Sequence, residues 1–501
     1  MILVKFSRCL PLTTTVLLLL ASCSFQTVHH IPRITAGQKA NIAKRIDAAA
    51  ASVDNNLNLG VMVVSPLTGE VIYEHNADHL FIPASNVKLF TAAAALHFLG
   101  PHYRFMTKLY TNSKSENHPD SEIANLYLKG GGDPDLTDRE LSEMVEQLQI
   151  LGIKAIQGNI VVDNTLFDSD PWGPGWMWDE GALWYFAPID AMNLNDNCVT
   201  VHVRPGPKEG SLPLVSIDPP TAHISIDLKA TTVRANSGKN SLKVQRRWKT
   251  KENIIDITGE IPLNSYSRQF TRSVENPAIY AGTVLKELLV DGGITVGGLV
   301  WQDTVPADTV LLSYHRSEPL SESVKNFLKI SDNLTGEVLV KTVGAITDSA
   351  QGTWANGLRA IKTFLIDEVG IDTLRMEYAD GSGVSRYNLI SPDQIVQLLL
   401  WAHDSFKIYP EFVVALPIGG ADGSLEKRMM SENLQQKSRA KTGTLRGVSS
   451  LSGYLTSADN ETLAFSIMMN GYTGDSDPYR ELQDRIVAIL TTFSRTNRYQ
   501  F

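Results

Sequence analysis

Apolar and polar positions change period several times along the chain, and each change marks an element. A helical spacing over about 38–52 gives way to two short apolar runs, Gly60-Val61-Met62-Val63-Val64 and Val71-Ile72-Tyr73-Glu74. These flank the turn-forming Ser65-Pro66-Leu67-Thr68-Gly69 and read as paired strands. Next comes Thr91-Ala92-Ala93-Ala94-Ala95-Leu96-His97-Phe98-Leu99, a run of strong helix formers closed by Gly100-Pro101, which puts Ser85 in the first turn of a helix. Strands follow at about 103–111 and 123–129, a helix at 137–151 and a strand at 158–163. The helix-then-strand plan returns at about 276–291 and 298–301, so the two stretches read as halves of one interrupted domain. Between them, segments 199–203, 223–228, 241–247 and 254–261 have strand character and almost no helical signal, the pattern of a small β module. From about 318 helices dominate again, at 319–330, 334–346, 354–368, 391–403 and 477–493, with strands at 449–456 and 462–470 before the last.

The chain has 501 residues, 43% of them hydrophobic and 20% charged, enough for roughly three domains. A formal net charge of −9 makes nucleic acid the wrong partner. At the N-terminus Lys5 and Arg8 precede an apolar stretch around Val16-Leu17-Leu18-Leu19-Leu20, a secretory signal too short to anchor by spanning. Its end, Leu20-Ala21-Ser22-Cys23, resembles the lipobox of bacterial lipoproteins, where the cysteine becomes the lipidated first residue, and Ser24 resembles the signal for outer-membrane sorting. Residues 1–22 are then signal and 23–37 tether. Of the three cysteines, Cys9 lies in the signal and Cys23 takes the lipid; Cys198 reads as a small buried hydrophobe at a strand start, with no disulfide framework. His75 and His79 are four apart but lie in a turn-rich loop with no third ligand, so no metal is expected. Gly130-Gly131-Gly132 lacks a following Gly-Lys-Ser/Thr and reads as a tight turn, so no cofactor is implied.

The chemistry starts at Ser85. Lys88 lies one turn away on the same helical face, where an amine reaches the serine hydroxyl and accepts its proton. That amine must be neutral, and free lysine, with a pKa of about 10.4, is not; burial or a second cation has to depress it. A second Ser-x-x-Lys, Ser438 to Lys441, continues as Lys441-Thr442-Gly443-Thr444 and reads as a strand. Ser331-Asp332-Asn333 falls at a junction between two helices. Ser-x-x-Lys, Ser-Asp-Asn and Lys-Thr-Gly, in that order, are the motif set of penicillin-binding proteins and class A β-lactamases. The roles fit. Lys441 supplies the cation beside Lys88 and attracts a substrate carboxylate, with Thr442, Gly443 and Thr444 lining that position. The N–H groups of Ser85 and Thr444 form an oxyanion hole. Asn333 binds the substrate amide and Ser331 relays a proton to the leaving amine.

With Gly130-Gly131-Gly132-Asp133-Pro134, Pro174-Gly175-Trp176-Met177-Trp178, Asp380-Gly381-Ser382-Gly383-Val384-Ser385-Arg386 and Asp422-Gly423-Ser424-Leu425, these motifs resemble the class C low-molecular-mass penicillin-binding proteins, the D-alanyl-D-alanine carboxypeptidase/endopeptidase family. The resemblance implies an α/β (α+β) transpeptidase or β-lactamase-like domain, an antiparallel sheet flanked by helices, over 38–100 and 318–501. It also implies two nested insertions, an α/β domain at 101–198 and 269–317 and a β domain at 199–268. It implies a periplasmic serine peptidase acting on peptidoglycan stem peptides and acylated by β-lactam antibiotics, and leaves a homo-oligomer open. A β-lactamase-like hydrolase and an inactive peptidoglycan-binding scaffold lipoprotein are the rival readings. For a stem residue ending in an ammonium and a carboxylate, the resemblance points to Glu180 for the ammonium, Tyr185 for the methylenes and Arg386 with Arg446 for the carboxylate. The alternative makes Glu180 and Arg386 structural ion-pair residues of the domain interface. Several acyl chains on Cys23 give a durable anchor, so the wild-type protein is expected in the outer-membrane fraction and Cys23→Ser is expected to release it or stall processing. Wild-type protein found wholly in the soluble periplasmic fraction contradicts this.

Overall fold

The computed structural model describes residues 31–496 except 55, 113–120, 237, 239 and 240; Cys23 and the signal lie outside the described residues. The catalytic part is built on five antiparallel strands in the order Ser438–Leu445, Val448–Thr456, Thr462–Asn470, Asn58–Val64, Val71–His75. Both faces of this sheet are covered. Val61 and Val63, with Phe465 and Ile467, pack on Ile46 and Ile486 from the helices Ala36–Ala51 and Asp477–Thr491. Met62 and Val64, with Ala464 and Met468, turn the other way into a core shared with Ile395 and Leu399 of helix Pro392–Asp404. Two-sided burial is why these strands read as continuous apolar runs instead of alternating ones.

Helix Val87–Leu99 lies in the middle of that second core, against the helices Leu320–Asn326, Asn333–Asp348, Trp354–Phe364 and Pro392–Asp404. Its first ten residues are all buried, so its sequence is apolar all round apart from Lys88 and Thr91. A residue one turn into this helix has nowhere to place a charge in water.

Between the two parts of the catalytic domain lie extra sheets consistent with inserted domains. Strands Val300–Gln302, Ile160–Asp163, Leu126–Lys129, Met106–Asn112 and Thr309–Arg316 form one sheet, using chain from both sides of the interruption, and pack on helices Asp138–Ile150 and Pro277–Asp291. Between these halves lie, among the described residues, three small sheets, including Arg268–Ser273, Cys198–Arg204 and Leu214–Asp218 in that order. Pairing of Arg268–Ser273 with Cys198–Arg204 carries the β module to Ser273. Cys198 starts its strand fully buried, and burial holds its thiol well above the ordinary range, so it stays an inert hydrophobe.

Several elements escaped the pattern reading, among them the short strands Thr231–Val233 and Arg268–Ser273. Thr309–Arg316 is an edge strand with Val310, Leu311 and Tyr314 exposed and a register shift between Leu311 and Ser313, which breaks the two-residue period. Tyr409–Ala415 is only seven residues long, and Leu214–Asp218 has no buried position.

Candidate active site

Ser85 sits in a short 3-10 turn, Ala84–Asn86, that leads directly into the buried helix. The residue before it, Ala84, has φ of 48°, a left-handed backbone uncommon for alanine and a mark of a functional turn. The turn is stitched to the sheet. Ser450 Oγ donates to Pro83 O at 2.6 Å, Asn86 Nδ2 donates to Lys441 O at 3.1 Å, and Asn470 Oδ1 accepts from Ile82 N at 2.7 Å. Strand Ser438–Leu445, which carries Lys441, is at the sheet edge, so alternate N–H and C=O groups have no strand partner on the nucleophile side. Gly443 makes the approach possible. A Cβ there would lie 2.2 Å from Ser450 Oγ, 2.7 Å from Pro83 O and 3.0 Å from Ser85 N.

Lys88 is fully buried, and its Nζ has three neighbours: Ser85 Oγ at 3.1 Å, Asn333 Oδ1 at 2.7 Å and Ser382 O at 2.5 Å. A neutral amine has two protons and one lone pair, so donating to the two carbonyl oxygens leaves the lone pair aimed at the Ser85 hydroxyl. Burial lowers the Lys88 pKa to about 8, and the charges of Asp332, Asp380 and Glu337 keep it from falling further. The second-cation expectation needs correcting in emphasis. Desolvation is the leading cause at Lys88, whereas the Lys88 charge adds to burial in pushing Lys441 down. Lys441, also fully buried, donates to Ser331 Oγ at 3.0 Å and Thr442 O at 2.8 Å.

Ser331 ends a π turn, Phe327–Ser331, with φ of 64°. That left-handed residue, followed by the N-cap Asp332, sets the serine toward Lys441 while the next helix begins. Asp332, which sequence reasoning gave no role, accepts from Thr335 N at 2.7 Å as the cap of helix Asn333–Asp348. Asn333 is engaged at both ends: its Oδ1 accepts from Lys88, and its Nδ2 donates to Tyr185 O of the insertion at 2.8 Å, leaving one amide proton for a substrate. Thr442 is half-buried, with Oγ1 donating to Ser424 Oγ at 2.7 Å, and Thr444 is exposed at the cleft end of the strand.

Of the more distant candidates, Arg386 and Arg446 come together: Arg386 Nη2 donates to Arg446 O at 2.8 Å, beside a cleft of about 540 Å3 that Met177 and Tyr472 also line. Glu180 accepts from the Tyr185 hydroxyl at 3.1 Å. Neither residue forms an ion pair among the described residues: Glu180 holds a phenol and Arg386 a backbone carbonyl. Burial and the Glu180 charge push the Tyr185 hydroxyl up to about 12, so it remains a donor.

Two supporting groups were missed. Glu337, fully buried, accepts from Gly381 N at 3.0 Å, Ser382 N at 2.8 Å and Trp354 Nε1 at 2.7 Å, and so fixes the carbonyl of Ser382 that receives Lys88. Asp380 accepts from Gly383 N at 2.8 Å, Ser385 N at 2.6 Å and Trp176 Nε1 at 3.0 Å, joining the insertion to the same loop. A lone Glu inside an apolar helix, Glu337 in Leu334-Thr335-Gly336-Glu337-Val338-Leu339, was the available signal.

Glu337→Gln is expected to lower kcat/KM at least tenfold and to cost stability of about 1–3 kcal/mol, because one of three N–H donors must then face an NH2 group. Acylation kinetics and a thermal melt check this; unchanged kinetics would show that the loop holds its place without Glu337.

Residues 41–493 match the D-Ala-D-Ala carboxypeptidase 3 (S13) family. The chain is 36% identical over 449 residues to a D-alanyl-D-alanine carboxypeptidase of Actinomadura sp. (strain R39), covering 87% of this chain and 81% of that one. It is 30% identical over 422 residues to the D-alanyl-D-alanine carboxypeptidase DacB of Haemophilus influenzae, covering 83% of this chain and 86% of that one. The crystal structure of penicillin binding protein 4 from the same organism superposes with a TM-score of 0.78 at 27% identity, over 91% of this chain and 99% of that chain, and that protein has also been crystallised with a β-lactam. The chain belongs to the D-Ala-D-Ala carboxypeptidase 3 (S13) family and is a serine-type D-Ala-D-Ala carboxypeptidase.

Proposed function

We propose that this carboxypeptidase cleaves the D-Ala-D-Ala ends of peptidoglycan stem peptides, and the D-Ala to diaminopimelate cross-links between them, through an acyl-enzyme on Ser85. The observation that carries this is the fully buried Lys88 Nζ standing 3.1 Å from Ser85 Oγ. Lys88 takes the hydroxyl proton as Oγ bonds to the penultimate D-Ala carbonyl carbon. The oxyanion settles between the N–H groups of Ser85 and Thr444. The C–N bond then breaks, and the leaving amine receives a proton through Ser331, which Lys441 holds at 3.0 Å. Water next attacks the ester with Lys88 as base, releasing the shortened stem as a carboxylate and restoring the Ser85 hydroxyl. A β-lactam enters the same first step and stays as a penicilloyl ester. On the strength of the N-terminal sequence alone, we place the enzyme in the periplasm, lipid-anchored at Cys23 to the outer membrane.

For stem residue three we assign the diaminopimelate ammonium to Glu180, its methylenes to Tyr185 and its carboxylate to Arg386 with Arg446. Glu180 has no cation partner among the described residues, which leaves its charge for a ligand.

Ser85→Ala is expected to abolish penicillin labelling and turnover while the melting temperature holds, and peptide mapping is expected to place the adduct on Ser85; an adduct on Ser331 or Ser438 would overturn the mechanism. Glu180→Gln is expected to lower kcat/KM for diaminopimelate peptides about tenfold, roughly 1.4 kcal/mol, with penicillin acylation unchanged. An equal loss on both substrates would make Glu180 a support of the fold.

A further inference from the structure

A second concavity, separate from the Arg386 cleft, opens where the insertion meets the nested β module. It encloses about 420 Å3, and four of the chain's eight tryptophans line it: Trp172, Trp176 and Trp178 from the insertion, and Trp248 from the module. Trp178 leaves 73% of its surface in water, which packing alone does not call for in so large an apolar ring. Trp178 and Trp248 stand 5.6 Å apart between ring centroids with planes inclined by 45°, an open pair of faces rather than a closed stack. Trp172 lies flat on Phe186 at 5.0 Å and 19°, forming the opposite wall. Gly181 lets the module approach, since a Cβ there would sit 3.3 Å from Trp248 Nε1.

The polar groups are as selective as the rings. Lys249 Nζ stands 5.5 Å from the centroid of Trp248 and 5.9 Å from that of Trp178, and Lys251 also lines the cleft. Both are exposed, and neither has a carboxylate partner among the described residues. Arg246 is buried behind them and its charge is taken by Glu275 at 3.0 Å, so the cleft floor is fixed while its rim offers free donors. Electron-rich aromatic faces attract the polarised C–H bonds on the flat side of a pyranose ring, and ammonium donors at the rim suit the carbonyl oxygens on its edge. An amino sugar with acetamido and lactyl substituents offers both.

The position ties this cleft to the peptidase site. Trp176 donates to Asp380, the hub of the loop behind Lys88, and Phe186 follows Tyr185, whose carbonyl holds Asn333. We propose that the cleft is a glycan subsite, which grips N-acetylated amino-sugar units of the strand whose stem peptide enters the Ser85 site. This rests on the reading of the chain as a peptidase of peptidoglycan. It makes the insertion and the module a clamp on the polymer, with the cut peptide held by one site and its sugar backbone by the other.

The test uses the full mature chain with Ser85→Ala, so that binding is read without turnover. The probes are glycan strands stripped of stem peptides and a soluble N-acetylglucosamine hexamer, with indole fluorescence and calorimetry as readouts. Saturable binding is expected, falling at least tenfold in Trp248→Ala and severalfold in Lys249→Ala, with most affinity kept in Trp248→Phe. In the active background, Trp248→Ala is expected to acylate with penicillin and to hydrolyse a sugar-free D-Ala-D-Ala peptide within twofold of wild type, while release of D-alanine from polymeric peptidoglycan slows at least fivefold. Absence of saturable glycan binding, wild-type affinity in Trp248→Ala, or displacement of the sugar by a sugar-free stem peptide would each overturn the subsite. A chain that cleaves D-Ala-D-Ala peptides but ignores glycan loses the subsite alone; one that binds glycan but cleaves no peptide loses the peptidase reading alone.

Discussion

An amine enclosed on every side is the constraint that the rest of this structure serves. In water the Lys88 ammonium would be neutral in roughly one molecule in several thousand at pH 7, while a pKa of about 8 raises that to roughly one in ten. A site without solvent achieves this, and the helix Val87–Leu99, its buried turns apolar apart from Lys88 and Thr91 and walled in by four others, provides it. Burial alone would also destroy a polar group's usefulness, so each bond of the amine is accounted for: Asn333 Oδ1 and Ser382 O take its protons, and Ser85 receives its lone pair. Each acceptor is itself held. Tyr185 O ties down Asn333, and Glu337 ties down the loop of Ser382.

The same economy governs the approach of the edge strand. Gly443 has no side chain because Ser85 N, Pro83 O and Ser450 Oγ already occupy the space around it. The strand therefore delivers Lys441 and the hydroxyls of Thr442 and Thr444 to a nucleophile that remains open on one side. The insertion is part of this site: Trp176 bonds Asp380 and Tyr185 bonds Asn333, so two of its side chains or carbonyls enter the network behind the base.

Much of this was legible in the order of residues, because the elements that matter obey strong local rules. Ser85 and Lys88 share a helical face, Lys441 lies on a strand, and the chain before 164 and after 276 repeats one plan that the structure joins into one sheet. What was not legible depends on distant partners. Asp332, given no role by its triplet, caps a helix, and Glu337 belongs to no motif because its three donors come from Trp354 and the loop at 381–382. The source of the Lys88 shift could not be ranked either, since burial is a property of five packed helices and not of spacing. Edge strand Thr309–Arg316 was missed for the opposite reason: its exposed apolar residues and register shift erase the period that betrays a strand.

The central claim is that desolvation makes Lys88 a base near neutral pH, and the pH dependence of kcat/KM for acylation by a penicillin, whose ring carries no group titrating between 6 and 10, tests it most directly. Since the neutral amine is the reactive form, activity must rise with pH and level off, and the limb reports the free enzyme's base or the lysine pair acting as a unit. The account requires that limb to centre at about 8. A limb centred at about 10.4, the value of a lysine in water, would contradict it.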